Sequence, residues 1–165
     1  MRIIEKDKIL YIISMLLILL AAALFIGFRL RQPNPAEADF PELNAALAEA
    51  GLTAGTLPGN EAMLKRNFDL LPSSYSEVLY LIPETFMNVD EILLIRLPEY
   101  ASAELVRTAM EKRLQTMKDT FENYGTDQFS LMQQAKIYVN GPYVCYTAGH
   151  FSDEAMALIR SRIER

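Results

Sequence analysis

The chain predicts an α+β fold: an N-terminal transmembrane helix, then a two-layer domain with an antiparallel sheet of about four strands and helices on one face. Three observations predict it. Ile9 to Phe28 is a run of twenty uncharged, mostly apolar residues. Two pairs of extended runs rich in β-branched and aromatic residues lie at 77–97 and 135–147, each divided by turn residues. Between the pairs, residues 102–124 repeat apolar side chains at helical spacing.

The first run is long enough for a bilayer. At about 1.5 Å per residue, a helix of that length spans roughly 30 Å of hydrocarbon. Thirteen of its residues are Leu, Ile or Phe, and together they favour insertion by roughly 4 to 8 kcal/mol. A cleaved secretory signal fits less well, because its apolar core is usually ~7–15 residues. Cutting after Ala21-Ala22-Ala23 would also leave Leu24-Phe25-Ile26 as a new terminus. No Cys directly follows the run to take a lipid. Arg2, Lys6 and Lys8 precede it and Arg29 and Arg31 follow, so the positive-inside rule puts residues 1–8 in the cytoplasm. The expected organisation is therefore an anchor at 9–28 in the cytoplasmic membrane, a linker at 29–39 and an extracytoplasmic domain at 40–165.

Charge narrows the partners. Residues 1–31 carry five basic and two acidic side chains, and residues 32–165 carry eleven basic and nineteen acidic ones. An acidic domain is repelled by an anionic membrane surface and lacks the basic stripe that phosphate backbones require. This argues against nucleic acid as a partner, and none is expected. Cys145 is the sole cysteine, so no intrachain disulfide staples the domain.

Each element follows from local signals. In the linker, Pro33 and Pro35 favour polyproline II. Asp39 can cap a helix from about Phe40 to Ala50, with Pro41 in its first turn and Gly51 closing it. Leu52 to Gly59 reads as loop, and Asn60 can cap a helix to about Leu70, before Pro72. Glu77–Ile82 and Val89–Leu97 read as strands. The second, containing EILLIRL, is too continuously apolar for an exposed position and suggests a central one. In the long helix, Val106, Met110, Leu114, Met117, Phe121 and Tyr124 form one stripe, and Gly125 ends it. Ala135–Asn140 and Pro142–Thr147 pair about the Asn140-Gly141 turn. Ser152 can cap a last helix, with Asp153 and Glu154 at its positive end and Arg160, Arg162 and Arg165 near its negative end.

From about Met63 onward the order of E-I-L-L-I-R-L, E-L-V-R-T-A-M-E-K-R-L-Q-T-M-K, F-E-N-Y-G-T-D-Q-F and A-K-I-Y-V-N-G-P-Y-V resembles the bacterial domain of unknown function 4358 family. The resemblance covers about two-thirds of the chain. It implies a small envelope protein held by a lipoprotein signal or a membrane anchor, and this chain departs from many members in lacking the lipid-attachment Cys. It implies no activity and supplies no catalytic residues.

Candidate chemistry is sparse. Cys145 and His150, the sole Cys and His, could form a nucleophile and base if brought within hydrogen-bond reach. A mid-strand Cys is more often a small buried hydrophobe. His150, Asp153 and Glu154 fall short of a zinc site without a second His or Cys. Asp90 and Glu91 read as solvated surface, since nothing in the sequence places two carboxylates in one cleft. Tyrosines are enriched at interfaces, and Tyr138, Tyr143 and Tyr146, with His150, are the candidate binding residues. No phosphate-binding glycine loop, nucleophile elbow or paired-Cys spacing occurs, so no cofactor is expected. The sequence reads as a binding protein without catalysis of its own, with an envelope protein as partner. A tethered enzyme using Cys145 or His150 is the alternative.

Overall fold

Among the described residues, five strands pair into one antiparallel sheet: β1 (Thr56–Pro58), β2 (Glu77–Pro83), β3 (Glu91–Arg96), β4 (Lys136–Asn140) and β5 (Tyr143–Ala148). Their spatial order is β1-β2-β3-β5-β4. The structure is a computed structural model and describes residues 11, 14–24, 37–98, 101–123 and 125–164. It divides into two compact units, Met1–Asn34 and Pro35–Arg165.

In the first unit residues 14–24 form helix α1 with exposed side chains. The Ser14 hydroxyl donates to the Tyr11 carbonyl at 2.8 Å. Among the described residues no helix is long and apolar enough to cross a membrane. Residues 9, 10, 12, 13 and 25–28 of the expected span lie outside them, as do the expected tail 1–8 and linker residues 29–36.

The second unit holds the sheet. β3 and β5 sit at its centre because their side chains suit burial on both faces: Glu91 to Ile95 and all of Tyr143 to Ala148 are buried. Consecutive buried positions point to opposite faces of a sheet, so each face needs its own cover. Helices α3 (Glu61–Phe68), α4 (Ala103–Phe121) and α5 (Thr126–Gln133) supply one. Their Leu64, Phe68, Val106, Met110, Phe121 and Met132 cluster with Leu93, Ile95, Val144 and Tyr146. Helices α2 (Phe40–Glu49) and α6 (Ser152–Ile163) supply the other. There Phe40, Leu43, Leu47, Ala155, Ile159 and Ile163 cluster with Ile92, Leu94, Tyr143 and Cys145.

The α+β class holds, and three expectations are corrected. The sheet has five strands rather than four, because residues 56–58, read as loop, pair with Leu81–Pro83. Helices cover both faces rather than one. Helix α5 occupies 126–133, where none was expected; it has no side-chain cap and buries only Met132. Two of the three expected helix caps hold. Asp39 accepts from the Glu42 amide at 2.9 Å and Asn60 from the Met63 amide at 3.0 Å. Ser152 is not a cap: it is buried, and its hydroxyl donates to the carbonyls of Thr147 and Gln134.

The ends of the sheet differ. The chain joins the domain where β3 ends and β5 begins. Here the Ala38 amide donates to the Tyr143 hydroxyl at 2.9 Å, and Arg96 Nη1 lies 2.8 Å from Glu37 Oε1. The β2–β3 connection, residues 84–90, lies at the other end, about 17 Å away along β3 at roughly 3.4 Å per residue.

Candidate interaction surface

Alternation along β5 separates the three tyrosines. Tyr143 and Tyr146 are three positions apart and so point to opposite faces. Tyr143 packs beside Phe40, ring centroids 6.3 Å apart. Tyr146 packs edge-on against Phe68 at 5.8 Å. Both are fully buried. Tyr138 lies on edge strand β4, where its hydroxyl meets Glu164 and the Arg160 guanidinium carbon stands 4.5 Å from its ring centroid. His150 follows the far end of β5. The structure does not gather these four residues into one site.

Cys145 and His150 are also apart. Cys145 is three strand positions, about 10 Å, from the last residue of β5, and His150 lies in the turn beyond it. Cys145 is completely buried, and burial pushes its thiol pKa above the ordinary value of 9.0. A nucleophilic thiol needs the opposite.

His150 has another partner. Its backbone amide donates to Asp90 Oδ1 at 2.6 Å, and its Nδ1 lies 3.1 Å from the same oxygen. A carboxylate only accepts, so Nδ1 is the donor in this contact. The imidazole is 60 % exposed. Gly149 makes this approach possible: with φ +96°, a Cβ there would stand 2.0 Å from Asp90 Oδ1. Among the described residues no group of three His, Cys, Asp or Glu could hold a metal ion.

The expectation that Asp90 and Glu91 are solvated surface is overturned, since both are buried. Glu91 opens the central strand and faces α4. Arg113 Nε donates to its Oε2 at 3.1 Å, and the Tyr80 hydroxyl donates to its Oε1 at 2.8 Å. Asn67 Nδ2 donates to that hydroxyl at 2.7 Å. Burial disfavours the Arg113 charge, but Glu91 more than restores it, leaving its pKa above the ordinary value. Burial, then Glu91, pushes Tyr80 strongly up. This ion pair fixes the Tyr80 ring as one wall of a cleft of about 260 Å³ that Leu64, Pro72 and Val78 also line. A charge opening a strand buried on both faces must find a partner, and that was the available signal for Arg113.

The most exposed large apolar side chain of the sheet domain among the described residues is Phe86, at 88 %, with Met87 beside it at 42 %. Their loop is tied down rather than loose. Asn88 Nδ2 donates to the Gly55 carbonyl at 2.7 Å, the Glu84 amide donates to the same carbonyl at 2.9 Å, and Asn88 Oδ1 accepts from the Asp90 amide at 3.0 Å. Leu57, on β1 beside this loop, is 47 % exposed. An apolar knob on a braced loop can enter a partner's pocket with little ordering cost. An aromatic with no periodic apolar neighbours, inside a Pro-Glu-Thr-Phe-Met-Asn turn, was the sequence signal for it.

A family model described as domain of unknown function (DUF4358) matches residues 48–149, over half of the chain. No curated protein and no solved structure gives a match.

Proposed function

The chain belongs to the DUF4358 family, and we propose that it is a single-pass, membrane-anchored, extracytoplasmic interaction protein of the bacterial envelope with no catalysis of its own. The observation that carries the reading is the braced Phe86–Met87 knob at the end of the sheet opposite the point where the chain joins the domain. Aromatic side chains are enriched among interface hot spots, and Phe86, Met87 and nearby Leu57 are exposed together rather than singly. The run at 9–28 supports the anchor by length, and its flanking charges support an outward-facing domain. The buried Cys145 and the separation of Cys145 from His150 weigh against the enzyme reading.

The test places a photo-crosslinking residue at position 86, and separately at exposed Ser74, in the full chain in native membranes. A single reproducible protein adduct from position 86 and not 74, lost when Met87→Asp is added, is expected. Equal labelling from both positions would refute the knob as the contact. Recovery of the chain in the soluble fraction would refute the anchor.

A further inference from the structure

The two edges of the sheet are treated differently. β1 is blunted: it has three residues and ends in Pro58, the usual devices against stray pairing. β4 has five residues in unbroken register with β5, no proline and no bulge. Asn140 pairs with Tyr143 across the two-residue turn, so residues 136, 138 and 140 bond to β5. By antiparallel alternation, the backbone N–H and C=O groups of Ile137 and Val139 point away from the sheet.

Those outward groups sit on a strand already held rigid. Every inward-bonding residue is also clamped to α6 by its side chain. Lys136 Nζ lies 3.1 Å from Asp153, Tyr138 bonds Glu164 beneath Arg160, and Asn140 Nδ2 donates to the Ile163 carbonyl at 3.1 Å. The lysine that could guard the edge is thereby engaged elsewhere. On the opposite face Ile137 is half-buried and Val139 is 38 % exposed.

We infer that β4 pairs antiparallel with β4 of a second copy of this chain, about a two-fold axis at Tyr138, joining two five-stranded sheets into one. The register is self-complementary. Ile137 stands opposite the partner's Val139 and Val139 opposite the partner's Ile137, giving the unpaired groups their bonds and covering the exposed valine. Lys136 meets the partner's Asn140, so no like charges oppose each other. On α6, Arg160 and Glu164 both contact Tyr138, so each copy brings one charge of either sign close to the axis.

The register makes the test specific. At the axis, Tyr138 faces the partner's Tyr138 as a pair without mutual hydrogen bonds, about 4.5 Å between Cα atoms. That distance lies within the disulfide range of about 4.4–6.8 Å. In the detergent-solubilised full chain, Tyr138→Cys is expected to give a covalent dimer on mild oxidation. Ile137→Cys and Val139→Cys singly should give little, while their combination in one chain crosslinks. Cys145 is buried and serves as the internal control. Val139→Lys, with an unchanged circular dichroism spectrum, is expected to halve the mass measured by light scattering. A chain that is monomeric throughout a concentration series, or that crosslinks equally from all three single positions, would overturn the inference. So would a monomer whose residue 137 and 139 amides gain exchange protection only from a different protein. If Tyr138→Cys alters the spectrum, the Ile137/Val139 double substitution decides.

Discussion

Replacing Glu91 by Gln tests whether the ion pair beneath α4 is as enclosed as its geometry implies. The Glu91 side chain is 2 % exposed and that of Arg113 is 14 % exposed. Gln keeps the shape and can still accept from the Tyr80 hydroxyl, so the change removes one charge and leaves the Arg113 cation without its counter-ion. Breaking a buried pair from one side typically costs about 3–5 kcal/mol. The residual exposure of Arg113 favours the lower end, about 3 kcal/mol. Adding Arg113→Met removes the stranded cation while filling its space, and the double variant should lie within about 1 kcal/mol of the parent. The assay is urea unfolding of the full chain followed by tyrosine fluorescence, which no tryptophan obscures. A single-variant cost below about 0.5 kcal/mol, typical of a surface pair, would refute the reasoning. So would a double variant less stable than the sum of the two singles.

Three further outcomes follow from the same core. Cys145 should resist a thiol reagent in the native protein and react fully in denaturant, and prompt native labelling would contradict its burial. Burial holds the pKa values of Tyr80 and Tyr146 above the ordinary 10.0, and that of Cys145 above 9.0. The unfolded chain then releases these protons first, so their contribution is complete below pH 9.0 and is lost as pH rises through and beyond 10.0. A Tm that stays flat across that alkaline window would contradict the sign. Gly149→Ala should cost about 2 kcal/mol or more through the clash with Asp90 and the positive φ, and an unchanged Tm would show that the turn can shift.

Particular residues show what was legible in the sequence. Asp39 and Asn60 gave two helix starts because a cap is a contact within three residues. The stripe of α4 gave Val106, Met110 and Phe121, all buried. β1 was not legible, since three residues ending in Pro58 form a strand only because β2 is there to receive them. α5 lacks both a cap and a strong apolar face. The two-faced burial was half legible: the unbroken run of β3 pointed to a central strand, and a strand buried on both sides requires two layers of helices. The tyrosines misled for a simple reason. An odd spacing along β5 sends Tyr143 and Tyr146 through opposite faces, and aromatic content alone does not register direction. Phe86 and the Glu91–Arg113 pair depend on contacts between segments distant in sequence.

The residues that match the family model, 48–149, stop before α6 and omit nearly all of α2. Among the described residues, those helices supply most of the cover on one side of the sheet. A fragment trimmed to that span would keep every strand yet present Ile92, Leu94, Tyr143 and Cys145 to water as a naked slab. It should therefore clump during expression. In this chain the segments outside the matched span are what shields that side.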